Sequence, residues 1–379
     1  MPDTVQVSAL ERTLTTVNDA ANWVSAVAFE RGVPREYELR KHTYGELKVR
    51  GLGAQAAQHT IKKVRDAYTA LKTDIRAGNL GKEGSKRRRK AESKPVAFRL
   101  EAAQPYDDRC LSWQYDRQTV FIRTVDGRMR NVPFVCSADA LKLLQAHRKG
   151  ESDLIARDGV FYLVATCDVP EAERYEPDGF IGVDFGTANI ATASTASTGY
   201  LAAGRELNRY RKRQLALRAK LQKKRTKSAK RRLKARARKE ARHAANQNHT
   251  ISKTIVTEAE RTGRGLALEE LKGIRNRVRL RKPQRGALHS WAFAQLGDFI
   301  VYKARRAGVP LVFVDPAYTS QTCAECGHVG RRNRVDQGLF ICRRCGVVAH
   351  ADRNASHDIA TRGESVWNAG RESRVPTTP

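Results

Sequence analysis

Four cysteines between residues 323 and 345 constrain the fold of this chain more than any other feature of its sequence. They form two Cys-x-x-Cys pairs, Cys323 with Cys326 and Cys342 with Cys345, and 15 residues separate the pairs. This spacing is typical of a structural zinc ribbon, in which four thiolates hold one ion; a pair of disulfides or a chance pattern is the alternative. A glycine follows each pair directly, as a tight turn around a metal requires. We therefore predict one structural Zn²⁺.

The charge of the chain predicts its partner. A net charge of +31 implies a polyanion, either nucleic acid or a membrane surface. No segment approaches the roughly 18 apolar residues of a membrane span, and the N-terminus lacks the pattern of a signal peptide. The three other cysteines are scattered, as in a reduced intracellular protein. We predict a cytoplasmic, nucleoid-associated protein of prokaryotic type, with no membrane partner and no small-molecule substrate.

The first half of the chain changes character twice. Helical periodicity extends over residues 4–78, and a basic stretch at 81–95 then indicates a flexible linker. From 96 to 170 the pattern becomes that of strands around Asp-Gly turns, which favours an antiparallel barrel or sheet. Within it, residues 138–147 predict a short helix.

Three basic clusters are candidate nucleic-acid contacts. The densest runs from Arg205 to Arg242, with nineteen lysines or arginines and only two acids. A helix so one-sided in charge would repel itself in water, which favours contact with phosphates over a solvated surface. For the basic run in the linker, a nuclear-import signal is the alternative, because its sequence would be similar. The candidate residues are Lys62, Lys63, Arg65, Arg87, Arg88, Arg89, Lys223, Lys224, Arg225 and Lys227.

Three carboxylates occupy comparable places in the second half. Asp184 and Glu269 each end a predicted strand, and alternation along the strand places Asp184 on the same face as Gly182. We expect this small residue to leave space for a metal or a phosphate. Asp352 stands where a helix should begin, so a plain helix N-cap is the alternative for it. Asp315, at another predicted strand end, is a rival.

Such a cluster of hard oxygen ligands suits phosphodiester hydrolysis by two Mg²⁺ ions, or by Mn²⁺. One ion would prepare hydroxide for attack, and the other would stabilise the leaving oxygen. No serine or cysteine nucleophile is needed. We therefore predict Asp184, Glu269 and Asp352 as catalytic residues and metal ligands.

The order of the motifs resembles TnpB, the transposon-encoded RNA-guided DNA nucleases related to the type V CRISPR effectors. The resemblance rests on Gly-Val-Asp184-Phe-Gly, Leu-Glu269-Glu-Leu, Thr319-Ser-x-x-Cys-x-x-Cys-Gly and Asp352-x-Asn-Ala-Ser. It implies a multidomain α+β chain: an RNase H-like (RuvC) α/β nuclease domain with an inserted zinc ribbon, a helical recognition lobe and a β-barrel wedge domain. It also implies that the three carboxylates are the RuvC triad. The implied partners are a guide RNA from the transposon end and double-stranded target DNA beside a short adjacent motif.

The resemblance divides the chain as follows. The expected regions are a partial first wedge strand in 1–10 (Thr4 to Ser8), a helical recognition lobe with basic linker in 11–95, the wedge barrel in 96–178, the first RuvC part in 179–315, the zinc ribbon in 316–348, the last RuvC helix in 349–362 and a disordered tail in 363–379. Family members usually have a fuller first wedge strand, and Glu270 stands where Asp or Asn is common.

The predicted function is RNA-guided, Mg²⁺-dependent DNA cleavage. Two alternatives remain: a catalytically silent RNA-guided repressor, and a RuvC-like transposase or resolvase that acts without RNA. All three triad residues are present, which argues against the first. The extreme charge suits a large RNA cargo, which argues against the second.

Overall fold

The computed structural model describes residues 2–186, 189–194, 199–203, 205–270 and 293–372. The chain divides into two compact units, Met1–Val169 and Pro170–Pro379. The predicted boundary at residue 178 therefore falls inside the second unit. Among the helices in these ranges, none has the length and the apolar composition needed to cross a membrane.

Four helices open the first unit: α1 (Thr4–Arg31), α2 (Glu36–Val49), α3 (Ala54–Arg76) and α4 (Lys86–Glu92). The first three confirm the helices predicted over 4–78, and they pack around one apolar core that includes Val24, Leu39 and Ile61. Their apolar residues recur at helical spacing, so each helix can bury one stripe against the others.

Two predictions for this region are wrong. The partial wedge strand expected at Thr4 to Ser8 is the first turn of α1, because Asp3 and Gln6 form a reciprocal capping box there. The linker expected at 81–95 contains helix α4, whose N-terminus is capped by the hydroxyl of Ser85. In both cases a polar capping residue starts a helix. The same residue is compatible with the predicted strand or linker, so the sequence pattern did not reveal the helix.

Six strands and one helix complete the first unit. They are β1 (Gln104–Tyr106), β2 (Leu111–Gln114), β3 (Thr119–Thr124), β4 (Gly127–Pro133), α5 (Ala138–His147), β5 (Arg148–Arg157) and β6 (Val160–Cys167). The strands form two antiparallel three-stranded sheets, in the orders β1-β5-β6 and β2-β3-β4. The predicted antiparallel character, both Asp-Gly hairpins and helix α5 are confirmed. At the second hairpin Asp158 and Gly159 both have positive φ, 54° and 77°, as the tight turn requires.

A five-stranded sheet forms the centre of the second unit. Its strands are β7 (Phe180–Asp184), β8 (Asn189–Ser194), β9 (Gly199–Ala203), β10 (Gly265–Glu269) and β11 (Leu311–Val314), and their order in the sheet is β11-β10-β7-β8-β9. Strands β11, β10 and β7 are parallel to one another, whereas β8 pairs antiparallel with β7 and β9 antiparallel with β8. Strand β9 was not predicted from the sequence.

The second unit also contains the helices α6 (Arg205–Lys224), α7 (Lys227–Arg261), α8 (Phe293–Ala307) and α9 (Ala351–Glu372). Helix α6 pairs with α7, whereas α7, α8 and α9 pack on the two faces of the sheet. The core on one face joins Val183 and Leu268 of the sheet to Ile255 of α7 and Ile300 of α8. On the other face Ala267 packs with Ile359 of α9. The predicted alternation of β7 and β10 is therefore confirmed. The helix predicted to begin at Leu288 is confirmed from residue 293, and 288–292 lie outside the described residues.

The ribbon predicted at 316–348 lies between β11 and α9. It contains the short strand β12 (Leu339–Ile341), which pairs antiparallel with β13 (Val348–His350). The disordered tail predicted from residue 363 is wrong as far as residue 372, because α9 continues to Glu372. Trp367 provides the reason: its ring packs on Phe180, with centroids 5.9 Å apart, and anchors the end of the helix to the sheet. Residues 373–379 lie outside the described ranges.

Candidate functional site

Three carboxylates come together at one edge of the five-stranded sheet. Strands β7 and β10 pair in parallel, with Val183 opposite Leu268, so Asp184 and Glu269 are the next residues along neighbouring strands. Asp352 lies in the first turn of α9 and is 2% exposed. The structure therefore brings the three predicted residues together, although they are separated widely in sequence.

Small residues let α9 lie close enough to the sheet to supply Asp352. A Cβ placed on Gly182 would lie 1.9 Å from the carbonyl oxygen of Ser356 and 2.5 Å from the amide of Ala360. A Cβ on Gly363 would lie 2.5 Å from the Cβ of Ala267. The space beside Gly182 is thus filled by the backbone of α9, and the prediction that it receives a metal or a phosphate is wrong.

Burial and like charge change the acidity of the strand-end carboxylates. Burial raises the pKa of Asp184 to about 7, the charges of Glu269 and Asp352 add to the rise, and Arg334 opposes it. Burial also raises the pKa of Glu269, and the hydroxyl of Thr319 acts in the opposite direction. Three acids held this closely repel one another, and a cation among them would relieve that repulsion.

Each of two carboxylates has a specific hydrogen-bond donor. Oγ1 of Thr319 donates to Oε1 of Glu269 at 2.6 Å. A guanidinium nitrogen of Arg334 donates to Oδ1 of Asp352 at 3.0 Å. Arg334 was not singled out from the sequence; the arginine-rich segment between the two cysteine pairs is the signal that could have indicated it.

A second ion pair lies near Glu269. Asp358, on α9, pairs with Arg362 at 2.8 Å. The charge of Asp358 raises the pKa of Glu269, and that of Arg362 lowers it. Arg362 also donates to the carbonyl oxygens of Asp315 and Ala317, at 3.1 and 2.9 Å. These two residues were missed because no motif marks them.

The rival carboxylate is used differently. Asp315 follows β11 but is exposed, and its Oδ1 accepts a hydrogen bond from the amide of Ala317 at 2.9 Å. It therefore stabilises a turn. Asp352 is not the N-cap of its helix, since α9 begins one residue earlier.

The donor set of the triad suits hard divalent cations. Asp184, Glu269 and Asp352 each supply carboxylate oxygens, and their charges meet at one end of the sheet. Carboxylate oxygens are the ligands that Mg²⁺ and Mn²⁺ prefer, so these three residues would hold such cations.

The four cysteines form a compact cluster. All four sulfurs lie within 4.8 Å of one another; Cys323 and Cys345 are 3.7 Å apart, and Cys326 and Cys342 are 3.6 Å apart. A tetrahedral zinc ion with Zn–S bonds of about 2.3 Å requires sulfurs about 3.8 Å apart. The sulfur positions and the chemistry of thiolates therefore fit zinc.

Backbone geometry holds the cluster. Gly327 and Gly346 have φ values of 69° and 76°, as the turn after each cysteine pair requires. Buried Asn333 joins the two turns: its side chain donates to the carbonyls of Gln321 and His328 and accepts from the amide of Arg343. An amide hydrogen bond from Cys345 lowers the pKa of the Cys342 thiol to about 6.

The basic residues predicted on α3 make contacts inside the first unit. Lys62 pairs with Glu151 at 2.5 Å, and Arg65 pairs with Glu36 at 3.0 Å. Lys63 donates to the carbonyl oxygen of Ala103, and burial lowers its pKa to about 8. Nucleic-acid contact by these residues stays a prediction. A phosphate would have to compete with the partners that these side chains already have.

The other predicted basic residues are more accessible. Arg87 and Arg89 on α4 are exposed, while Arg88 pairs with Glu92 at 2.8 Å. Helices α6 and α7 form a hairpin, held by an ion pair between Arg218 and Glu240. Four exposed basic residues surround its turn: Lys223, Lys224, Arg225 and Lys227.

Residues 293–359 match the family model of the Cas12f1-like TNB domain. The match begins in α8 and ends in α9, so it includes the cysteine cluster and Asp352. The chain is 31% identical over 129 residues to a TnpB-like protein of Methanocaldococcus jannaschii, covering 34% of this chain and 46% of that protein. The predicted resemblance to TnpB is confirmed.

A CRISPR-associated endodeoxyribonuclease, Cas12f1 of Sulfoacidibacillus thermotolerans, is 41% identical over 114 residues. The match covers 30% of this chain and 26% of that protein. The matched part thus spans less than half the length of each of these two relatives.

The fold resembles that of a solved Cas12f1 in a complex with guide RNA and target DNA. The TM-score is 0.59, and the alignment covers 92% of this chain and 82% of the other at 15% identity. At this identity the likeness concerns the fold alone. This likeness of fold confirms the expected mixed α and β architecture in more than one unit.

Proposed function

We propose that this protein is an RNA-guided DNA endonuclease of the TnpB type, which hydrolyses phosphodiester bonds with divalent cations held by Asp184, Glu269 and Asp352. One observation carries the proposal: three acids from two strand ends and a helix start meet at one sheet edge, where burial and the charges of Glu269 and Asp352 raise the pKa of Asp184. Relatives that are named DNA endonucleases support it. The guide RNA, double-stranded target and adjacent motif are part of the same proposal.

The order of the sheet supports a finer assignment of the fold. Four strands of the sheet run in one direction and only β8 runs against them, and helices pack on both faces. This arrangement agrees with an RNase H-like (RuvC) domain. We assign this domain to residues 179–315 and 349–372, since α9 continues to Glu372, with a zinc ribbon at 316–348 inserted between them. The helices of 11–95 are then the recognition lobe, and the strands of 96–178 are the wedge.

The proposed reaction needs two Mg²⁺ ions, or Mn²⁺, among the three carboxylates. When bound, the ions supply Lewis acidity, which makes water a better nucleophile and the departing oxygen a better leaving group. The residues of the chain do the rest. Thr319 fixes the orientation of the Glu269 carboxylate, and the positive charge of Arg334 beside Asp352 favours entry of an anionic phosphate.

One Zn²⁺ is proposed at Cys323, Cys326, Cys342 and Cys345. With all four ligands supplied by protein, this ion would be structural and would take no part in the reaction. It would hold the turns from which Thr319 and Arg334 reach the carboxylates.

The test begins with the nucleic acid that copurifies with the protein. Sequencing this RNA identifies the guide, and a matching DNA duplex is then incubated with the complex, with and without Mg²⁺. We expect cleavage that requires both the RNA and the metal, and that is lost in Asp184→Asn, Glu269→Gln and Asp352→Asn. Asp315→Asn is the matched control and should cleave like the wild type.

The alternatives give different results. Guided binding without cleavage by the wild type would indicate a repressor. Cleavage that does not depend on RNA would indicate a resolvase or a transposase.

The nucleic-acid interface is tested by salt. If the α6–α7 turn contacts phosphates, each contact adds about 0.7 to 0.9 to the slope of log affinity against log salt. Replacing Lys223, Lys224, Arg225 and Lys227 with alanine should flatten the slope by about that amount per contact, equally for all sequences. An unchanged slope would show that this turn is only a solvated surface.

A further inference from the structure

A single short segment joins the cysteine cluster to two of the three carboxylates. It runs from residue 319 to 324 and contains the first cysteine, Cys323. At its start the hydroxyl of Thr319 donates to Glu269 at 2.6 Å. At its end the segment is bound by Asn354, which donates to the carbonyl oxygen of Thr322 at 2.7 Å and accepts from the amide of Ala324 at 3.1 Å.

Asn354 lies on α9 two residues after Asp352 and is 4% exposed. Both of its side-chain hydrogen bonds leave the helix and end on the residues that flank Cys323. Any displacement of this cysteine turn would therefore pull on the first turn of α9, where Asp352 lies. Arg362 adds a third tie by donating to the hydroxyl of Thr322 at 3.1 Å.

We propose that Thr319 and Asn354 are positioning residues, which tie Glu269 and Asp352 to the cysteine cluster and so set the separation of the two carboxylates. This inference rests on the proposed cation site. Neither residue is among the proposed metal ligands; each acts through a neighbour. The separation matters because carboxylates that share divalent cations bind them well only when neighbouring groups hold those carboxylates in fixed positions.

Removing a hydrogen bond that orients a carboxylate leaves the carboxylate present but no longer fixes its position. The expected effect is a loss of about tenfold to a hundredfold in cation affinity. A residue that merely supports the fold would instead reduce zinc content and thermal stability, and the cation affinity of the remaining folded protein would stay the same.

The experiment measures Mn²⁺ binding to the full, zinc-loaded chain without nucleic acid, by electron paramagnetic resonance of unbound Mn²⁺. The variants are Asp352→Ala, Asn354→Ala and Thr319→Val, and Ser356→Ala is the matched control. Ser356 is buried on the same helix, and its hydroxyl donates only within it, to the carbonyl oxygen of Arg353. Zinc content and melting temperature are measured on each protein.

We expect Asn354→Ala and Thr319→Val to bind Mn²⁺ at least about tenfold more weakly while retaining zinc, and Ser356→Ala to match the wild type. Their DNA cleavage should recover when Mg²⁺ is raised. Thr319→Val keeps the shape of the side chain, so it decides the matter if Asn354→Ala fails to fold.

Two results overturn the inference. One is an affinity within about twofold of the wild type in both variants. The other is a loss of zinc that accompanies the loss of Mn²⁺ binding in both. If Asp352→Ala itself binds Mn²⁺ like the wild type, the proposed cation site fails instead.

Discussion

The cysteine cluster and the carboxylate site lie close together but are built in opposite ways. The four sulfurs come from two short turns; each turn is followed by a glycine with positive φ, and Asn333 joins the two turns. The three carboxylates come from two strands and a helix that are far apart in sequence. They meet only because α9 lies against Gly182 and Ala267 with almost no space between helix and sheet.

The difference concerns which changes each site can tolerate. A locally built cluster depends on its own ligands, and distant packing should matter little to it. An assembled site depends on backbone contacts that carry no chemistry. A change in the contact between helix and sheet should therefore leave the cluster intact, whereas loss of the cluster should reach the carboxylates through Thr319 and Asn354. The following changes test this in order of expected effect.

The largest effect is expected from Cys342→Ser. Because the hydroxyl of serine is a poor zinc ligand, zinc affinity should fall by more than about a hundredfold, and DNA cleavage should be lost with it. Elemental analysis of the purified protein measures the zinc. Cys110→Ser is the control and should retain zinc; equal zinc in the two variants would contradict the assignment of the ligands.

Gly182→Ala should damage the assembled site and spare the cluster. The new methyl group would collide with the backbone of α9, which cannot rotate away as a side chain could. We expect a loss of about 3 kcal/mol in the free energy of unfolding, and weaker Mn²⁺ binding, with zinc content unchanged. Denaturant titration and metal analysis check this; a loss of zinc would show that the two sites are not separable.

Asn333→Ala should do the reverse. It removes three hydrogen bonds that join the cysteine turns, so buried backbone groups lose their partners and zinc affinity should fall by about tenfold. Competition with a chelator measures the affinity. Unchanged affinity would mean that the cysteine spacing alone holds the cluster.

The smallest effect is expected from Gly297→Ala, the same substitution as Gly182→Ala but in helix α8 of the same unit. A Cβ there meets nothing within 4 Å, and alanine favours helix. The free energy of unfolding should rise by about 0.5 to 1 kcal/mol. A loss of stability would show that glycines in this unit are intolerant of substitution for a reason other than the contact with α9.

The contrast also explains what could be predicted from the sequence. The cysteine spacing predicted the cluster, because its geometry is encoded in adjacent residues. The alternation of β7 and β10 predicted which acids share an edge, because the period of a strand is two. Helix α5 and both hairpins followed from periodicity and turn residues in the same way.

The errors in the second unit have a common cause. Gly182 is complementary to α9, which lies far along the chain, so the sequence alone favoured an empty space beside this glycine. Trp367 extends α9 by packing on Phe180, and Arg334 reaches Asp352 from the ribbon. Such contacts join distant residues and leave no periodic pattern. The assignment of the triad to catalysis stays a prediction.

Helix α9 follows all five strands of the sheet in the sequence, and this order has a consequence for how the protein is made. Strands β7 to β11 can pair as soon as they leave the ribosome, whereas the third acid follows only when α9 emerges. Since chains grow at about 5 to 20 residues per second, we expect the sheet to wait for several seconds with Phe180 and Ala267 uncovered. A nascent or prematurely terminated chain would hold two of its acids without the third. The proposed cation site would thus be incomplete until synthesis had passed the ribbon.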